Sequence, residues 1–349
     1  MKKKFCALLC VLVGTVSLVG CGSSSATKGE EYVTEDSSDS GSLSSATASI
    51  EASSASSSAS YDVNEIAEPT LESSTDSSSA ASVDTMTDDG INIVFIGDSQ
   101  FDNARDSGTS IAELVAENTG ATVYNLGIGG TSASVPKEQR YSSHDQRTDP
   151  NFVGITYALA GECPSSILDG YAASNVFPSV DPSKVDYYVV EYGVNDYFNG
   201  AQIYDQSDSN NVTTYVSALQ QGLMTLNSIS PNAKIMLMSP AYSMFYNASG
   251  TFIGDGNVVD KGAGTLSDYA SACENLATDA GVPMYIDAYY GGTFDLDQYT
   301  ADVYLSDGIH FTETGRHVVA AAISKGINAD LGVDTSPSEI FKIEDFQCK

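Results

Sequence analysis

The sequence predicts an α/β fold, a three-layer α/β/α sandwich on a five-stranded parallel sheet, confined to residues 90–349. Three observations lead there. Short apolar runs rich in β-branched residues recur along this part of the chain. Stretches of helical periodicity separate them. The runs are apolar throughout rather than alternating, as strands covered on both faces are.

The elements follow in order. Ile91 to Gly97 (INIVFIG) is an apolar run bounded by turn formers and predicts the first strand. Ser110 to Asn118 (SIAELVAEN) has helical spacing, and Gly120 stops it. Ala121 to Gly127 and Val185 to Gly193 predict the second and third strands. Val212 to Ile229 predicts a helix, Ala233 to Pro240 the fourth strand, and Leu266 to Ala280 a helix stopped by Gly281. Val282 to Ala288 predicts the fifth strand, and Thr312 caps a last helix that runs to Leu331. Open sheets of this kind bind ligands beyond the carboxyl ends of their strands. Chemistry is therefore expected in the loops after Gly97, Gly127, Gly193 and Ala288.

The first 89 residues have a different character. Met1-Lys2-Lys3-Lys4 precedes an apolar run from Phe5 to Val19, too short to span a bilayer comfortably, which reads as a leader over residues 1–20. It ends in Leu18-Val19-Gly20-Cys21, which resembles the bacterial lipobox. That resemblance implies cleavage before Cys21, a diacylglyceryl thioether on its sulfur, and attachment to the outer face of the cell membrane. Residues 22–89 hold 22 Ser and 14 Asp or Glu against one Lys. Such a stretch cannot bury enough apolar surface to offset its ordering entropy, so residues 21–89 are expected to form a disordered tether with a span of roughly 45 Å.

The whole chain has net charge −31, and residues 90–349 carry 32 acidic and 11 basic side chains. That excess excludes nucleic acid and an anionic membrane surface as partners of the folded part. Cys6 and Cys10 fall in the leader, leaving Cys163, Cys273 and Cys348 beyond Cys21. This is no disulfide framework, although a single Cys163–Cys273 bridge is compatible with the spacing. No Cys or His pattern suggests a metal site, and no cofactor is implied.

Gly97-Asp98-Ser99 follows the first strand, where a Ser can expose its hydroxyl on a strand-to-helix turn. Alone the tripeptide also suits a plain turn. Asp307-Gly308-Ile309-His310 precedes the last helix. A hydroxyl nucleophile needs a base that titrates near neutrality, and the base needs a carboxylate to orient it; His310 and Asp307 are three residues apart. The other two histidines, His144 in a polar loop and His317 within the last helix, read as structural or solvated. Gly193-Val194-Asn195-Asp196 follows the third strand, where an Asn amide can face a developing oxyanion. Asn125 to Thr131 (NLGIGGT) follows the second; Ser132 breaks the spacing of a dinucleotide loop.

These four blocks, in this order, resemble those of the SGNH (GDSL-like) hydrolases over roughly residues 91–325. The resemblance implies a flavodoxin-like sheet and a serine esterase. It implies Ser99 as nucleophile, His310 as general base then acid, and Asp307 as its orienter. It also implies an oxyanion hole from the Ser99 and Gly130 amides and the Asn195 side chain, supported by Asp98, Gly193 and Asp196. Two departures stand out: Gln100 where Leu is usual, and a distance of 65 residues from Gly130 to Asn195. The extra segment, about 132–174, is expected to supply part of the substrate wall.

The expected activity is hydrolysis of short acyl esters, foremost O-acetyl groups, on carbohydrate by a monomer. Polar loops and tyrosines near the motifs (Tyr192, Tyr197, Tyr289, Tyr290) suit sugar better than lipid. The same residues would serve a glycan O-acyltransferase, and a glycan-binding lipoprotein without turnover is the third reading.

Overall fold

The computed structural model describes residues 86, 87 and 90–347. The leader, Cys21, nearly all of the expected tether and Cys348 lie outside them. Met86 is buried, and the Asp181 amide points at its sulfur, so packing onto the fold starts before residue 90.

In chain order the regular elements are β1 (Asn92–Gly97), α1 (Ser99–Asp102), α2 (Ile111–Thr119), β2 (Thr122–Asn125), α3 (Phe152–Leu159) and α4 (Ala173–Val176). β3 (Tyr187–Glu191), α5 (Val194–Phe198), α6 (Tyr215–Ile229) and β4 (Lys234–Met238) follow. Then come β5 (Met244–Tyr246), β6 (Phe252–Asp255), α7 (Leu266–Asp279), β7 (Met284–Ile286), α8 (Ala301–Tyr304) and α9 (Glu313–Asp330).

Five strands form one parallel sheet in the order β2-β1-β3-β4-β7. The α/β sandwich expected from the sequence is the fold observed. α2 packs on α9, while α3 packs on α6, which also meets α7. With helices on both faces every residue of β1 and β3 is buried, which is why these strands read as unbroken apolar runs. Ile93, Val94, Phe95 and Ile96 have no exposed surface, and each such side chain contributes about 1.5–3 kcal/mol by leaving water. Local signals set the helix ends: Ser110 and Glu113 form a reciprocal cap on α2, and the Thr312 side chain accepts the Gly315 amide at the start of α9.

Strand order reverses between β1 and β3. The crevice outside their carboxyl ends is where such sheets receive ligands, and Ser99 and Asn195 stand on the two turns that border it.

Three sequence expectations change. The 132–174 segment, expected to supply part of the substrate wall, spends eight of its residues on α3, a helix buried at every position. Its residues (FVGITYAL) are apolar all round, so no amphipathic period marks them. Phe152 lies so close to α6 that a side chain at Gly222 would collide with its ring. Cys163 and Cys273 are separate, buried thiols; Cys273 faces β4, and burial pushes its thiol up to about 12. Tyr192 and Tyr197 have no exposed surface and belong to the core, with the Tyr197 hydroxyl donating to the Val259 carbonyl. An antiparallel ribbon, β5 with β6, was not expected.

Candidate active site

The turn after β1 places Ser99 as the first residue of α1. The Asp98 carboxylate accepts the Gln100 amide at 3.0 Å, which holds the turn closed. On the far side of the crevice, the loop between α8 and α9 carries His310. Its Nε2 lies 2.9 Å from Ser99 Oγ, across 211 residues of sequence. Its Nδ1 lies 2.7 Å from Asp307 Oδ2. The other Asp307 oxygen accepts the backbone amides of Ile309 at 3.0 Å and His310 at 2.8 Å.

Burial pushes the Asp307 carboxyl up, but the His310 ring and the two amides outweigh it and hold the group down at about 2. It is therefore an anion at neutral pH. An anionic acceptor keeps the ring proton on Nδ1 and leaves Nε2 free to accept from the Ser99 hydroxyl. Both Ser99 and His310 are buried.

The remaining predicted residues divide into two groups. Among the described residues, the Ser99 and Gly130 amides make no hydrogen bond, whereas the Gly129 amide is taken by Asp102 Oδ2 at 3.0 Å. Of the two adjacent glycines, Gly130 is therefore the one with a donor to offer. Asn195 is different: its Nδ2 donates to Asp98 Oδ2 at 3.0 Å and to the Thr131 carbonyl at 2.9 Å. Both amide hydrogens are engaged, so an oxyanion must share or displace one of them.

Asp196 accepts the amides of Ala133 and Ser134, each at 2.9 Å, and so ties the Gly130 loop to the end of β3. Gly193 starts that turn with φ +144°, and a Cβ there would press on Pro240 and the Tyr215 hydroxyl.

Sequence reasoning missed three participants. Gln100 is one. Its Nε2 donates to the Ile309 carbonyl at 2.8 Å and its Oε1 accepts the Phe311 amide at 3.3 Å. It thus grips the backbone on both sides of His310 from the residue next to the nucleophile. The only sign in the sequence is an amide where the family pattern has Leu. Gln100→Ala is expected to lower kcat by about 10–100-fold with little change in KM, because a small displacement of His310 suffices. Leaving the Ile309 and Phe311 backbone groups unpaired should also cost about 1–3 kcal/mol of stability. Steady-state kinetics beside thermal melts check both parts.

Arg105 is the second, joining Asp102 to the Asn125 and Gly127 carbonyls and so bracing the Gly130 loop. Glu191 is the third. It is a fully buried acid at the end of β3, in register with Gly97 and close to Asp98. Its sequence mark is a lone carboxylate in an apolar strand. Burial, with the Asp98 charge beside it, raises Glu191 well above the carboxylate range, and burial raises Asp98 to about 6. A group that binds its proton more tightly folded than unfolded stabilises the fold fully below its unfolded value. That stabilisation is lost as pH rises through the folded one. Stability should therefore fall from about pH 4 upward, through the Asp98 value of about 6 and beyond. Glu191→Gln, which cannot ionise, should flatten part of that fall. Melting temperatures between about pH 5 and about pH 9 measure it, and parallel curves would refute the account.

The fold and the Ser99–His310–Asp307 line together define an ester hydrolase with a serine hydroxyl at its centre. The sequence pattern of the GDSL-like lipase/acylhydrolase family matches residues 95–318, and the chain belongs to that family. Several solved structures are similar, and the first of those that follow shares the fold. One with TM-score 0.52 and 21% identity covers 69% of this chain and 97% of its own. A possible lipase from Chitinophaga pinensis has TM-score 0.46 and 17% identity over 70% of this chain and all of its own. A family two carbohydrate esterase from Clostridium thermocellum, in complex with cellohexaose, has TM-score 0.42 and 16% identity over 70% of this chain and 65% of its own. No curated protein sequence matches significantly.

Proposed function

We propose that this protein is an extracytoplasmic serine esterase that releases short acyl groups, foremost acetyl, from carbohydrate, tethered to the membrane through lipid on Cys21. The observation that carries the chemistry is the unbroken hydrogen-bonded line from Ser99 Oγ through the His310 ring to the Asp307 carboxylate. The polar loops after β3 and β7 support a sugar ester. Leu18 to Cys21 supports the anchor.

In the first step Ser99 Oγ bonds to the ester carbonyl carbon and its proton passes to His310 Nε2. The Ser99 and Gly130 amides hold the oxyanion, joined by Asn195 as it releases the Asp98 or Thr131 contact; such donors contribute ~3–4 kcal/mol each. Collapse breaks the ester bond, and the leaving alcohol takes the proton from His310. Water then attacks the acyl-serine, giving its proton to His310, and collapse frees the acid and restores Ser99.

The test is hydrolysis of p-nitrophenyl acetate, butyrate and octanoate by the full chain, with acetate release from O-acetylated xylan followed in parallel. Turnover should be fastest on acetate and lowered by about 10⁴–10⁶-fold in Ser99→Ala. An acetyl group recovered on an added acceptor sugar, rather than as free acetate, would replace the esterase with a transferase.

A further inference from the structure

Beyond the triad, the described residues enclose a second cleft, of about 490 Å³, at the β4–β7 edge of the sheet beside the β5–β6 ribbon. We propose that this cleft is a binding subsite for an uncharged carbohydrate chain. It takes the carbohydrate class from the esterase reading above but stands on its own geometry.

Three tyrosines build its wall. Tyr290 is 51% exposed, yet its hydroxyl is pinned to α7, 2.7 Å from both the Ser267 carbonyl and Ser271 Oγ. Its ring meets the Tyr289 ring edge-on at 4.9 Å, and Tyr289 meets Tyr242 edge-on at 5.8 Å. Tyr242 in turn donates to Asp255 Oδ2 at 2.7 Å. An exposed aromatic ring normally loses rotamer freedom when a ligand stacks on it; a ring tethered at both ends has little left to lose. A flat apolar face with polar groups at its rim suits the C–H face of a sugar ring.

The rim supplies the polar partners. Asp295 spends one carboxylate oxygen on the Tyr304 hydroxyl and the Ile343 amide, and Asp297 spends one on the Tyr299 and Thr300 amides. The second oxygen of each has no hydrogen-bond partner among the described residues, and neither has the Asn257 side-chain nitrogen. These are acceptors and donors for sugar hydroxyls. The lining holds three aspartates and no lysine or arginine, so a uronate or phosphate-bearing polymer would be repelled.

The cleft is also joined to the reacting centre. The Tyr242 amide donates to the Ala288 carbonyl at 3.0 Å; two residues on, at most ~7 Å of chain, the Met244 amide donates to the Gly308 carbonyl at 2.8 Å, next to Asp307. Met244 and Asp307 line a second cavity of about 470 Å³. The two cavities are therefore lined by neighbouring residues of the segment that follows β4.

The experiment is calorimetric titration of full-chain Ser99→Ala, which cannot consume the probe, with acetylated xylo-, manno- and chito-oligosaccharides, and with oligogalacturonate as the anionic comparison. At least one neutral probe should bind and oligogalacturonate should not. Adding Tyr290→Ala should weaken binding about tenfold or more, while Tyr290→Phe, which keeps the ring but frees it from α7, should weaken it by less. Tyr290→Ala binding as tightly as the parent, no binding of any neutral probe, or tighter binding of oligogalacturonate would each overturn the subsite. Hydrolysis of p-nitrophenyl acetate by the unaltered enzyme is too small a reaction to need the cleft. Failure there would count against the esterase and leave the titration to judge the subsite.

Discussion

Ser99→Ala should lower kcat on p-nitrophenyl acetate by about 10⁴–10⁶-fold, His310→Ala should do about the same, and the double variant should be no slower than either. The reason lies in the 2.9 Å contact between Ser99 Oγ and His310 Nε2. Neither group does useful work without the other: a hydroxyl with no base stays protonated, and a base with no hydroxyl has no proton to take. Groups that act as one unit give losses that do not add. The residue of activity would come from the backbone donors at Ser99 and Gly130, which both substitutions leave in place. Additive losses in the double variant would mean that Ser99 and His310 act in separate steps, and the mechanism above would fall.

Asp307→Asn should lower kcat by about 10³–10⁴-fold while KM stays within a few-fold. Asn keeps a carbonyl oxygen able to accept the Ile309 and His310 amides, so the loop keeps its shape. Its amide nitrogen then faces His310 Nδ1 as a donor. That reverses the tautomer, puts the ring proton on Nε2, and leaves nothing to accept the Ser99 proton. The carboxylate matters to the fold as well. Its value is lowered in the folded state, so it stabilises the protein above 3.8, and that contribution is lost as pH falls through about 2. Acid melts of wild type and Asp307→Asn should therefore converge toward that pH. A variant with unchanged kcat would show that Asp307 does not set the tautomer.

The positions and type of the sheet strands were legible because the central strands sit between two helix layers, and burial on both faces writes itself as an apolar run such as Ile93 to Ile96. The candidate site residues were legible because β1, β3 and the last loop each end in a short block of turn-forming and polar residues, and the doubly wound sheet gathers such ends at one edge. Helix α3 was not legible. A helix buried all round has no polar face, so Phe152 to Leu159 lacks the period that marks α2. The tyrosines misled for a related reason: composition counts rings but not their exposure, and Tyr192 and Tyr197 point inward while Tyr290 does not.

What the sequence determined by itself is the set of groups available and the edge of the sheet where they stand, since periodicity and turn chemistry act over a few residues. The tertiary structure decided what touches what. Gln100 grips the loop around His310 from more than 200 residues away, Asp196 holds the Gly130 loop, and Asn195 gives both amide hydrogens to Asp98 and Thr131. Such contacts depend on where the sheet brings distant turns together, and on lone-pair and amide directions within a few tenths of an ångström. A linear pattern carries neither.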